Sequence, residues 1–82
     1  MTRYRIVTRT TAGGKAETHT SSVSLSRQEA IDDVSTTARI ASLAGWHTAT
    51  RGHGIGVELV CTRGGICRTL TIRQSDPFDD TL

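Results

Sequence analysis

The sequence predicts an α+β fold: an antiparallel (or partly mixed) sheet of four to five strands, in ββα(β)ββ order, with one helix packed on one face. Two pairs of β-rich runs are each joined by a Gly-Gly pair, Gly13-Gly14 and Gly64-Gly65, and such pairs favour tight hairpins. Between them, residues 27–44 lack glycine and proline, which is typical of a helix. We expect one domain over residues 1–73.

The first predicted strand covers residues 3–10, where polar and apolar side chains alternate. After Gly13-Gly14 the chain continues through residues 15–23, which are dense in threonine and serine and poor in apolar side chains. This composition suits an edge strand, because an edge strand is covered on fewer sides than a central one.

The helix has clear start and stop signals. Ser26 and Glu29 match a capping box, in which the serine hydroxyl and the glutamate carboxylate each accept from the other residue's backbone N–H. Gly45 is a natural terminator. One stripe of the helix should lie on the sheet: it comprises Ala30, Ile31, Val34, Ala38, Ala41 and Ala44.

Ile40 and Leu43 fall on nearly the opposite side of this helix. Three interpretations stay open: isolated surface side chains, a spot covered by Phe78 and Leu82 of the C-terminal segment, or a surface for a partner or a second copy.

After the helix, a short strand is predicted over residues 46–51, followed by a two-residue turn at His53-Gly54. This turn would pair Trp46 with Cys61 and bury the indole on the helix side of the sheet. We prefer this register because exposing the indole would cost more than exposing His47, which a one-residue slip would bury instead.

The last hairpin sets the chemistry of the two cysteines. A Gly64-Gly65 turn places Cys61 opposite Arg68 and Thr62 opposite Cys67, so the two thiols point to opposite faces of the sheet. The two side chains then cannot reach the geometry of a disulfide bond, and both cysteines are expected to be free. The predicted core consists of Ile6, Ile31, Val34, Ala38, Ala41, Trp46, Val57, Leu59, Leu70 and Ile72.

The order of the strands is open at this stage. If the first and last strands pair as central parallel neighbours, the fold is β-grasp-like. Otherwise it is a split meander that is more similar to double-stranded-RNA-binding domains.

The bulk composition bounds the function only loosely. A chain of 82 residues buries about 60% of the surface of its unfolded form, so we expect it to be only marginally stable alone. Marginal stability favours a homodimer or a bound partner. A net charge of +2 does not by itself imply nucleic acid. No apolar run is long enough for a membrane span, and the N-terminus lacks a signal-peptide core, so we expect a cytoplasmic protein.

Residues 74–82 are acidic and contain the only proline, Pro77, and are expected to form a flexible tail. No histidine–cysteine spacing resembles a zinc site, so neither a metal nor a cofactor is expected.

The segment around His53 raises one enzymatic alternative. A helix that ends in Gly45-Trp46 and a later Gly52-His53 resemble the corresponding parts of HicA-type toxin ribonucleases, in which a histidine after a Gly-Ser pair acts on RNA. The resemblance spans residues 38–73 and implies a His53-dependent ribonuclease. This chain lacks the serine and the family's second helix.

The face of the sheet away from the helix is the main candidate surface. The assumed registers give it Arg5, Arg9, Val60 and Arg73 among many threonines, and no aromatic side chain for stacking bases. We expect a non-enzymatic interaction module that binds a protein partner through this face, through the polar edge strand, or through Ile40 and Leu43. Nucleic-acid binding by the basic face is the alternative.

The composition also resembles, in style, small orphan proteins of high-GC actinobacteria and their phages. This resemblance implies a phage accessory or host-modulating role.

Overall fold

A computed structural model describes residues 2–75 of the chain. The described chain forms one five-stranded sheet and one helix. The strands are β1 (Tyr4–Ala12), β2 (Lys15–Thr20), β3 (His47–Arg51), β4 (Glu58–Arg63) and β5 (Ile66–Gln74), and the helix α1 (Arg27–Leu43) lies between β2 and β3. The predicted α+β class and element order are confirmed.

All neighbouring strands are antiparallel, in the order β2-β1-β5-β4-β3. The first and last strands are central neighbours, but they run in opposite directions, so the parallel pairing of a β-grasp sheet does not form. The sheet instead joins an N-terminal hairpin to a C-terminal meander along the β1–β5 seam.

The helix begins as the sequence predicts. Ser26 Oγ accepts a hydrogen bond from the backbone N–H of Glu29 at 3.2 Å, and Glu29 Oε1 accepts one from the backbone N–H of Ser26 at 2.9 Å. These hydrogen bonds hold the pKa of Glu29 below its ordinary value. At the other end Gly45 has a φ of 90°, the left-handed conformation expected at a C′ position.

The core lies between α1 and one face of the sheet. Leu59 and Ala30 are fully buried, and the surrounding buried side chains are aliphatic or small. All ten predicted core residues either belong to this cluster or pack against it. The prediction missed Cys61, which is 2% exposed. It also placed Ala44 on the buried stripe, but Ala44 is the C-cap of α1 and is exposed.

The strand β3 shows a register error in the sequence analysis. Thr48, rather than Trp46, pairs with Cys61. The connection is longer than a two-residue turn, because Gly52 and Gly54 adopt φ values of 71° and 59° and a turn of 3-10 helix covers Gly54–Gly56. A shift of two residues preserves the face, so Trp46 still packs against the core as predicted.

The β4–β5 hairpin has the predicted register, with Cys61 opposite Arg68 and Thr62 opposite Cys67. Both cysteines are free. β2 is an exposed edge strand, also as predicted. The last strand extends to Gln74, and Ser75 is buried; the remainder of the expected flexible tail, with Phe78 and Leu82, lies outside the described residues.

Substitution of Ser26 by alanine should lower the free energy of unfolding by about 1 kcal/mol, because the N–H of Glu29 loses its acceptor. Chemical denaturation would measure the loss, and Ser22→Ala, which removes an exposed hydroxyl outside the helix, serves as the control. An equal loss in Ser26→Ala and Ser22→Ala would contradict the cap.

The lowered pKa of Glu29 means that its carboxylate stabilises the fold at pH values above its ordinary titration range. This contribution should be lost as the pH falls below that range and through the lowered pKa, which chemical denaturation at a series of acidic pH values would measure.

The two thiols should differ in reactivity. Burial raises the pKa of Cys61, although nearby Arg68 opposes the shift, whereas Cys67 is only half-buried, on the other face of the sheet. A disulfide reagent at mildly alkaline pH should therefore modify Cys67 in the native state and Cys61 only on unfolding. Cys67→Ser should abolish the fast phase. A fast phase that survives in this variant would show that Cys61 is accessible.

Candidate functional site

The candidate site is the face of the sheet opposite α1, here called the open face. Because side chains alternate along a strand, the registers place arginines 5, 9, 51 and 73 on it, with one acidic residue, Glu58. Its other members are mostly threonines: Thr11, Thr18, Thr20, Thr62, Thr69 and Thr71.

Charge on the open face is uneven. Arg51 is directly opposite Glu58 across the β3–β4 pair. The three strands on the other side, β2, β1 and β5, contribute three arginines and no acidic residue to this face. The positive charge is therefore concentrated over β2, β1 and β5.

The β1–β5 seam sets two of these cations against each other. Arg5 is directly opposite Arg73 in the register, where like charges destabilise a sheet by some tenths of a kcal/mol. One guanidinium nitrogen of Arg5 donates to the backbone carbonyls of Ser21 and Ser22, at 2.9 and 3.0 Å. These two carbonyl dipoles offset part of the repulsion and fix the Arg5 side chain beside the end of β2.

The open face is concave along this seam. A shallow depression of about 440 Å³ is lined by Val7, Arg9, Arg73 and the small or hydroxylated side chains of Ala16, Thr18, Thr69 and Thr71. An adjoining depression of about 360 Å³ shares Val7, Thr18 and Arg73 with it and extends past Arg5 and Thr20 to Gln74 and Ser75. We call the two together the arginine groove.

The arginine groove has the chemistry of an anion site. Guanidinium groups match the geometry of phosphate and carboxylate oxygens, and threonine hydroxyls add further donors. Arg9 and Arg73 are exposed, and within residues 2–75 no carboxylate forms an ion pair with either. Arg9 and Arg73 therefore offer positive charge to an incoming anion without having to leave a carboxylate of residues 2–75.

The six residues that the sequence analysis singled out do not form one surface. Arg5, Arg9, Arg73 and Val60 share the open face, with Val60 opposite Thr69 on the far side of β5. Ile40 and Leu43 are 61% and 83% exposed on the helix, on the other side of the molecule.

The partner prediction offered these surfaces as alternatives. On the open face the described residues supply two valines and no aromatic anchor, and Ile40 and Leu43 are two exposed side chains on the helix. Neither the structure nor any comparison supports the predicted protein partner or homodimer. That prediction is wrong as it was made.

A separate depression, of about 270 Å³, lies beside the C-terminal end of α1. Ile40, Ala41, Trp46 and Cys61 line it, and the Arg68 guanidinium carbon lies 5.2 Å from the centroid of the Trp46 ring. Stacking on Arg68 covers part of the indole. Leu43 does not line this depression.

His53 lies in the β3–β4 connection, where it is exposed and precedes the 3-10 turn. Within the described residues its side chain makes no hydrogen bond, and no three His, Cys, Asp or Glu side chains gather to hold a metal ion. The groups that would activate a histidine for acid–base chemistry are thus not assembled around it in this part of the chain.

The sequence analysis missed two features of the site. Arg51 belongs to the open face, which the alternation from Trp46 could have shown. The arginine groove itself could not be found, because it depends on the β1–β5 pairing that the sequence left open.

Comparison with protein-family models, curated proteins and solved structures finds no match to this chain. Among residues 2–75, the helix that forms is too short and too polar to cross a bilayer.

If the arginine groove binds anions, inorganic phosphate should raise the melting temperature more than chloride at equal ionic strength. A stabilisation of about 1 kcal/mol corresponds to about 4–8 °C for a domain of this size. Arg73→Gln should lose this excess, whereas Arg39→Gln, which removes a charge from the exposed side of α1, should keep it. Equal excesses in the two variants would show that phosphate acts on the whole protein rather than on the groove.

Proposed function

We propose that the protein is a non-enzymatic module that binds the phosphate backbone of nucleic acid on its open face, without reading sequence. The observation that carries this proposal is the arginine groove: three arginines on β1 and β5, surrounded by threonine hydroxyls and with no acidic side chain from residues 2–75 in its lining.

The spacing of the cations suits a repeating anion. Arg5 and Arg73 are adjacent across the seam, and Arg9 lies four residues further along β1, or roughly 13 Å at about 3.3 Å per residue. Two phosphate positions on one ligand can therefore be engaged at once, which a single small anion cannot do. A polymer with regularly spaced phosphates fits this arrangement best.

The face favours backbone contact over base recognition. Both aromatic residues of the described chain, Tyr4 and Trp46, pack on the helix side. Sheet proteins that read single-stranded RNA stack bases on aromatic side chains, and arginine–phosphate contacts carry no sequence information. The protein should therefore bind different sequences with similar affinity.

The remaining sequence-based expectations, namely a phage or actinobacterial accessory role and a cytoplasmic location, stay predictions. A nucleic-acid-binding accessory protein is compatible with both.

Nucleic-acid affinity should fall steeply with salt, because phosphate contacts release counterions. Fluorescence anisotropy with a labelled duplex and a labelled single strand, each in two unrelated sequences, would measure it between about 50 and 200 mM salt. Arg9→Gln/Arg73→Gln should weaken binding on the order of tenfold or more at the low end and reduce the logarithmic salt slope by about 1.4–1.8.

The matched control is Arg27→Gln/Arg39→Gln, which removes the same charge from exposed positions on α1. It should change the affinity much less. Equal effects of the two double variants, or no binding by the unmodified protein at low salt, would refute the proposal.

A further inference from the structure

The depression beside the C-terminal end of α1 lies on the helix side of the sheet, opposite the arginine groove, and we call it the tryptophan pocket. Its volume of about 270 Å³ has room for about nine non-hydrogen atoms, if each takes about the 30 Å³ of a water molecule in the liquid. Thr37 and Arg68 supply its polar groups. The rest of its lining is apolar: Ile40, Ala41, Ala44, Trp46 and Cys61.

The fold fixes the indole of Trp46 at one wall of this pocket. The backbone N–H of Trp46 donates to the carbonyl of Ala41 at 2.9 Å, which ties the residue before β3 to the end of α1. Arg68 is the direct cross-strand neighbour of Cys61, and its guanidinium lies over the indole ring. An apolar wall and a cation therefore meet at one place.

Arg68 is the charged group of the pocket within residues 2–75. Its Nε donates to Thr10 Oγ1 at 3.3 Å. Its two terminal nitrogens make no hydrogen bond with any of residues 2–75, and no carboxylate in this range forms an ion pair with it. A guanidinium edge with two parallel N–H donors matches the two oxygens of a carboxylate.

The C-terminal end of α1 by itself disfavours an anion, because the last carbonyls of a helix carry partial negative charge. Arg63 opposes this effect: its Nη1 donates to the carbonyl of Ala44, the C-cap residue, at 3.0 Å. The helix end is equivalent to about half an elementary charge, whereas Arg63 and Arg68 each carry a full one. The balance of charge beside the pocket is therefore positive.

We infer that the tryptophan pocket binds a small organic acid with an apolar body and one carboxylate. The body packs against Ile40, Ala41 and the indole of Trp46, and the carboxylate accepts hydrogen bonds from Arg68. An inorganic anion would leave the apolar walls unfilled, and a neutral apolar molecule would leave the guanidinium without a counter-ion. This site is independent of the proposed function, since it lies on the other side of the sheet.

Binding is measured by fluorescence, because Trp46 is the only tryptophan of the chain. At constant ionic strength, sodium hexanoate should change the emission with a dissociation constant on the order of 1 mM. Hexanamide, its neutral isostere, should bind about fivefold more weakly, and acetate, which has almost no apolar body, should give no saturable change. Equal affinities for hexanoate and hexanamide, a saturable response to acetate, or no response to hexanoate would each overturn the inference.

Two variants separate the roles of the cation and the apolar wall. Arg68→Gln should remove the preference for hexanoate over hexanamide, whereas Ile40→Ala should weaken both probes alike. Both side chains are exposed in the free protein, so the fold should tolerate these changes. The matched control is Arg9→Gln, which removes the same charge from the arginine groove and should keep the preference. A preference that survives Arg68→Gln, or an equal loss in Arg9→Gln, would refute the assignment.

NMR spectra of the unmodified chain locate the ligand. Hexanoate should shift the single indole N–H signal and the amides of Ala41 and Cys61, and leave the amides of Val7 and Thr71 in the arginine groove in place. Shifts confined to the groove would assign the acid to the open face and overturn the inference.

Discussion

The antiparallel pairing of β1 with β5 is the constraint on which the rest of the structure depends. It runs over nine register pairs, from Tyr4 opposite Gln74 to Ala12 opposite Ile66, and joins two hairpins that are far apart in the sequence. On the helix side it sets Ile6 against Ile72 in the core; on the open side it sets Arg5 against Arg73. One register therefore builds both the core and the site. A slip by one residue would exchange the two faces and destroy both.

The site and the fold make opposite demands at this seam. Burial of Ile6 and Ile72 stabilises the pairing, while the arginines on the other face weaken it. The structure relieves part of the repulsion at Arg5, whose guanidinium is held by the carbonyls of Ser21 and Ser22. Arg73 has no such carbonyls, since among the described residues its guanidinium makes no hydrogen bond. Of these two cations, Arg73 is therefore the one that gains more from an external anion.

Local elements were predictable because local signals determine them. The capping box at Ser26 and the Gly64-Gly65 turn act within a few residues, and both formed with the predicted partners. The predicted two-residue turn after β3 was wrong. Several glycines in residues 52–56 allow more than one backbone path, so the local sequence did not determine the length of the turn. The face of Trp46 survived that error because the slip was an even number of residues.

The site was predictable in its members but not in its shape. Alternation alone assigned Arg5, Arg9 and Arg73 to one face, because the period of a strand is two. Their proximity depends on which strands are neighbours, and this is decided by long-range packing that no local pattern records. The preference for a protein partner was also wrong: it offered the open face and the pair Ile40 and Leu43 as alternative surfaces, and no comparison supports a protein partner at either.

The distribution of charge is more informative about function than its sum. A net charge of +2 conceals a molecule whose open face carries arginines over three strands and whose helix begins with Glu29, Asp32 and Asp33. Glu29 has a structural reason to be there, since it lies in the first turn and caps the helix, where negative charge is stabilising. Arg5 has a structural partner as well, since its guanidinium donates to the carbonyls of Ser21 and Ser22, but the repulsion between Arg5 and Arg73 weakens a pairing that the core needs. Among the described residues, no hydrogen bond of Arg73 offsets this repulsion. The retention of Arg73 opposite Arg5 is the physical argument for proposing a function of the arginine groove.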